Sequence, residues 1–124
     1  MTLAPDVPPS AELRRLAARL HQQNRRFVMA VTGGGSEAIS ALFTTPGASR
    51  TMLEAIVPYS QASLVDLIGA TPDQFCSAQT ARSMAAAAWQ RARVLDARNK
   101  LSAESLGPAT GFAATCSLAT DRAK

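Results

Sequence analysis

Two short stretches carry the residue types that could do chemistry. One is Thr32-Gly33-Gly34-Gly35-Ser36 and the other is Tyr59-Ser60. The run Phe27–Val31 before the first stretch is apolar and rich in strand formers, and a helix-like segment begins at Glu37. A strand feeding a glycine turn feeding a helix aims backbone N–H groups at one point, which suits a phosphate or a carboxylate. Gly33–Ala38 formally fits G-x-G-x-x-A, but that dinucleotide fingerprint needs an acidic residue closing the second strand. Glu54 has about the right separation, yet Ala55, Ile56 and Val57 follow it. No Gly-Lys-Ser/Thr follows the glycines, so a P-loop is excluded. Two readings stay open, an anion site at Thr32–Ser36 and a plain tight turn.

Thr32 also offers a hydroxyl at the C-terminal end of its strand, where ligands of open α/β sheets bind. Tyr59 and Ser60 reach the same edge if the two strands are parallel neighbours. A hydroxyl nucleophile needs a base. No lysine or histidine lies between Phe27 and Arg82, and the carboxylates there are Glu37, Glu54, Asp66 and Asp73. The sequence therefore names no acid/base pair. Cys76 and Cys116 lack C-x-x-C spacing, and with a single histidine, His21, they make no ordinary zinc site. His21 reads as a surface residue without a role. Neither a metal nor a cofactor is called for.

These residues must be positioned by alternating helices and strands. Residues 1–9 carry three of the prolines and read as a flexible lead-in, with a single domain over 10–124. Ser10 caps a first helix whose stripe is Leu13, Leu16, Ala17 and Leu20. Phe27–Val31 is a strand covered on both faces. Ser36–Phe43 is a helix with Ala38, Ile39 and Leu42 inward, stopped at Thr44-Thr45-Pro46-Gly47. Thr51–Val57 is a second strand. Ser60 caps a helix that packs Leu64, Leu67 and Ile68 and closes at Gly69. Ser77 caps the longest helix, Ala78–Leu95, whose small face of Ala81, Met84, Ala85 and Ala88 allows close approach to a sheet. Residues 96–108 read as a loop and Ala109–Leu118 as a third strand. The alternation predicts a layered α/β/α sandwich with a small central sheet. Nothing follows the third strand to cover it, which predicts a domain cut short.

Composition narrows the partners. The 124 residues are 47% hydrophobic but only 5% aromatic, so alanine and leucine must fill the core. The net charge is +4, and basic residues gather in two helical patches, Arg14–Arg26 and Arg91–Arg98. Without aromatics interleaved as a single-strand platform needs, these read as solvated faces, which argues against nucleic acid. No stretch has the length of a membrane span and the N-terminus is not a signal peptide. The expectation is a cytoplasmic protein with reduced thiols and no membrane contact.

The stretch TTPGASRTMLEAIVPYSQASLVDLIG resembles the C-terminal domain of the CinA (competence/damage-inducible) family. That family shows a Gly-Gly helix start, a P-G-S/A-S turn, a strand ending in Y-S and a helix ending in L-(L/I)-G. Cys76–Ala85 is similar to the family's V-S-x-x-(T/V)-A-x-x-M-A. The resemblance covers Phe27 to Ala92, with weaker agreement at Gly111–Ser117. It implies an α/β fold and a nicotinamide-mononucleotide amidohydrolase activity. Aligned from the Pro46-Gly47 turn, the family's nucleophilic serine, in E-S-C-T-G-G, falls on Thr32. The family tyrosine and serine match Tyr59 and Ser60, and the family lysine falls on Leu64. The G-I-A-G-P loop becomes roughly Cys116 to Thr120, without its glycines. A divergent branch, found ahead of nucleotidyltransferase-like domains in plant proteins, likewise keeps V-P-Y-S without the lysine.

The resemblance thus implies a scaffold with a degenerate site. Thr32 and Tyr59 are the candidate catalytic residues, and Thr32, Gly33, Gly34, Gly35, Ser36, Tyr59 and Ser60 the candidate ligand-binding ones. The expected partner is a nucleotide-like or phosphate-bearing small molecule, or the chain serves as an accessory domain. The alternative is a working amide hydrolase using Thr32. The family domain continues with a further strand and helix, so an open third strand predicts a homo-oligomer or a fused downstream domain.

Overall fold

The near-continuous apolar run after Arg25 forms the strand at the centre of the sheet. A computed structural model describes residues 10–99 and 108–116. The elements are α1 (Ala11–His21), β1 (Arg26–Thr32), α2 (Ser36–Thr44), the single turn α3 (Ala48–Thr51), β2 (Met52–Ile56), α4 (Gln61–Ile68), α5 (Ala78–Asn99) and β3 (Ala109–Thr115). The sheet order is β2-β1-β3 with both pairings parallel. All three strands therefore end on the same edge. Every residue of β1 from Arg26 to Val31 is buried, as expected of a parallel strand covered on both faces.

Alternation along β1 divides the core. Phe27, Met29 and Val31 pack with Ala17 of α1, and with Leu42, Ala38 and Ile39 of α2. Val28 and Ala30 point the other way, onto Leu64 of α4 and Met84, Ala88 and Ala92 of α5. Helices on both faces make the layered α/β/α architecture. β3 is covered too. Its Phe112 meets Phe27 edge-to-face at 5.6 Å between centroids, while Ala109 and Ala113 face α5. The expectation of an uncovered third strand thus holds only for its outer edge, which pairs with no strand among the described residues.

The small face of α5 has a structural counterpart at Gly111. A Cβ there would lie 2.2 Å from the Trp89 backbone nitrogen and 2.5 Å from the Ala85 carbonyl oxygen. Helix backbone and strand backbone meet because neither contributes a side chain between them.

Several local expectations are corrected. Helix α5 runs on to Asn99, because Asp96 is drawn inward by Arg26; 100–107 lie outside the described residues, as does Leu118. Thr51 ends the turn α3, so β2 starts at Met52. Leu16, placed on the inner stripe of α1, is 54% exposed, and the buried line runs through Ala17 and His21 instead. Arg26 is no part of a solvated basic face: it is buried and its guanidinium pairs with Asp96. Trp89 lies just ahead of the second basic patch, and Arg93 of that patch stacks 4.9 Å over its ring.

His21 is the largest departure from its reading as a surface residue. It is buried. Its ring nitrogens are bonded to the Thr51 hydroxyl at 2.5 Å and to the Leu42 carbonyl oxygen at 2.7 Å. Because Leu42 can only accept, Nε2 is the donor there. One imidazole thus satisfies polar groups of both α2 and α3 and pins them to α1.

Candidate functional site

Parallel pairing brings Thr32 and Thr115, the last residues of β1 and β3, into register. The Cys116 N–H extends the ladder by donating to the Thr32 carbonyl at 3.2 Å. The chain then turns sharply at Gly33, with φ +90°. A Cβ there would be strained and would lie 2.0 Å from the Cys116 carbonyl oxygen. Only glycine lets the two strand ends pass this closely. Gly34 donates its N–H to Cys116 Sγ at 2.8 Å. Gly35 then caps α2 without any side-chain acceptor, and acidic Glu37 occupies the first turn.

On the neighbouring strand the chain leaves β2 through Pro58. Ser60 N-caps α4, its Oγ accepting the Ser63 N–H at 3.1 Å, which fixes the serine at the sheet edge. Tyr59 is 82% exposed. Leu64, one turn into α4, is buried against Val28 and Ala30.

Thr32, Gly33, Tyr59, Ser60 and Leu64 line one cavity of about 260 Å³, together with Gln61, Phe75, Cys76, Thr115 and Cys116. The structure thus brings together the two stretches singled out in the sequence. Gly34, Gly35 and Ser36 stand just beyond this lining, at the start of α2. Among the described residues no carboxylate, lysine or histidine is in the lining. Glu54 sits within β2 and not at its end; it accepts two hydrogen bonds from Arg91 of α5, at 2.9 and 3.2 Å. That bond raises the Arg91 pKa above its ordinary value, with the Glu54 charge adding to it. Among the described residues no cluster of three or more histidine, cysteine or acidic side chains could hold a metal ion. A larger cleft, about 430 Å³, lies apart along the α4–α5 connection, between Ala70 and Thr80. It holds none of the residues of the glycine turn.

This topology is shared with solved structures. The competence/damage-inducible protein CihA from Agrobacterium tumefaciens superposes with a TM-score of 0.58 at 24% identity, over 73% of this chain and 58% of that one. A CinA superfamily protein from Enterobacter cloacae gives 0.57 at 25% identity, over 75% and 59%. One from Escherichia coli gives 0.57 at 20% identity, over 75% and 57%. The fold is CinA-like. The chain spans 57% to 59% of the length of these proteins. No protein-family model matches the sequence, and neither does any curated protein. No described helix is long and apolar enough to cross a membrane.

The contributions of Phe75, Cys76, Thr115 and Cys116 to this pocket were missed in the sequence. A signal for the last two was present. Once the third strand is taken as parallel to the first, its C-terminal residues must stand beside Thr32. Phe75 and Cys76 had no such signal, because they lie in an irregular segment. They are placed by two tertiary bonds to Thr115, whose hydroxyl donates to the Phe75 carbonyl oxygen at 3.0 Å and whose carbonyl accepts the Cys76 S–H at 3.7 Å.

Proposed function

We propose that this CinA-like domain has a degenerate amidohydrolase site and binds a nucleotide-like, phosphate-bearing small molecule without hydrolysing it, as a binding or accessory module. The observation that carries this reading is the pocket lining. Hydroxyls of Thr32, Tyr59, Ser60 and Thr115 surround an opening that, among the described residues, no carboxylate, lysine or histidine lines. Leu64 fills the place at which the resemblance puts a lysine. A threonine hydroxyl without a base lacks general-base assistance, which is worth about 10²–10⁴ in rate. Binding needs less. Hydroxyls can bond a ribose, the exposed Tyr59 ring offers a stacking surface, and the uncapped start of α2 favours an anion.

Titration of the labelled protein with nicotinamide mononucleotide, a related nucleotide and inorganic phosphate tests the reading. The expected result is movement of the Gly33–Ser36 and Tyr59–Ser60 amide signals with nucleotides, and no ammonia released from nicotinamide mononucleotide. Ammonia release that disappears in Thr32→Ala would replace the proposal with a threonine-dependent amide hydrolase. Unmoved amides with all three ligands would leave the turn as plain structure.

A further inference from the structure

We propose that Cys76 and Cys116 form a redox-active dithiol pair, which a hydroperoxide converts to an intramolecular disulfide across the mouth of the pocket. Both cysteines are free and exposed, and both line the same cavity. Thr115 joins their two segments. Its hydroxyl donates to the Phe75 carbonyl at 3.0 Å, and its own carbonyl accepts the Cys76 S–H at 3.7 Å. Cys116 is the next residue. By standard peptide geometry the Thr115 oxygen lies roughly 3 Å from the Cys116 Cα. The Cys76 sulfur therefore rests beside the residue it must join, and the disulfide requires Cys116 Sγ to leave the Gly34 N–H and turn about χ1 toward Cys76.

The second sulfur is also held in place. The Gly34 N–H points at Cys116 Sγ at 2.8 Å, and the Cys116 backbone N–H is bonded to the Thr32 carbonyl at 3.2 Å. Neither thiol is turned away into the core, so a small oxidant reaches both.

The chemistry balances with the hydroperoxide as oxidant. One thiol sulfur attacks the O–O bond, forming a sulfenic acid and releasing the other oxygen as an alcohol, or as water when the oxidant is hydrogen peroxide. The other sulfur then displaces the sulfenic oxygen, which leaves as water while the S–S bond forms. Two thiols are oxidised to one disulfide, and the peroxide is reduced. The bond ties the entry of α5 to the end of β3 and narrows the opening between Thr32 and Phe75. Thiol reduction restores it. The proposal depends on the two sulfurs alone and not on any ligand in the pocket.

The test treats the full chain with equimolar hydrogen peroxide, blocks remaining thiols with a maleimide and maps the peptides. Both thiols are expected to vanish together. A peptide pair linked Cys76 to Cys116 should appear in the monomer, and dithiothreitol should reverse it. In Cys76→Ser a sulfenic acid should accumulate on Cys116 and be trapped by dimedone, whereas the unsubstituted chain traps little. Independent loss of the two thiols, links only between chains, or oxidation no faster in the folded than in the urea-unfolded protein would each overturn the proposal.

Discussion

At the N-terminal end of β1, Arg26 is 3% exposed and its guanidinium grips the Asp96 carboxylate on α5. At the C-terminal end of the same strand, Thr32 opens on a cavity lined by hydroxyls, thiols and a leucine, with no carboxylate, lysine or histidine among the described residues. One end of the sheet uses opposite charges to clamp a helix. The described lining residues of the other are uncharged and leave polar groups available. A buried charge must be paired to be tolerated, so the clamp fixes one geometry. An uncharged polar pocket has no such demand and can exchange water for a ligand.

The largest expected effect comes from breaking the clamp. Asp96→Ala takes the Asp96 carboxylate away from the buried Arg26 guanidinium. Removing one member of a buried pair costs about 3–5 kcal/mol, and the 21% exposure of the Asp96 side chain favours the low end. Urea denaturation measures it. A loss under about 1 kcal/mol, the range of exposed ion pairs, would erase the contrast between the two ends.

A smaller loss is expected midway along the sheet, from Gly111→Ala. The added methyl would press on helix backbone at Trp89 and Ala85, and backbone cannot step aside as a flexible side chain does. Overpacking of this kind costs about 1–3 kcal/mol. The expected result is a lower denaturation midpoint together with a changed Trp89 emission, because α5 must lift from β3. An unchanged midpoint would mean that helix and strand are not in contact there.

The same contrast explains what could be read from the sequence. The pocket end was legible in Thr32, Gly33, Tyr59 and Ser60 because each sits beside a local signal: a strand end, a glycine turn or a helix cap. The layered fold followed from the alternation of those elements. The clamp end was not legible. Arg26 and Asp96 are 70 positions apart, and on periodicity alone each looks like a solvated charge. His21 failed for the same reason, since its partners lie 30 and 21 positions away. Buried polar pairs between distant elements leave no periodic trace, whereas caps and turns do.

The smallest stability effect belongs at the pocket end, and it separates binding from folding. Thr32→Val keeps the shape and β-branching of the side chain and removes the hydroxyl. Thr32 is only partly buried, and its backbone carbonyl, which the substitution retains, is what holds Cys116. Stability should therefore stay within about 0.5 kcal/mol of the unsubstituted protein. If the hydroxyl contacts a bound nucleotide, its loss removes one hydrogen bond, about 0.5–1.5 kcal/mol, or roughly a two- to tenfold rise in Kd. Calorimetric titration with nicotinamide mononucleotide, alongside urea denaturation, reads the two quantities on one sample. Weakened binding at unchanged stability sharpens the comparison between the ends. A stability loss as large as that of Asp96→Ala would show that Thr32 holds the sheet together, as Arg26 does at the other end.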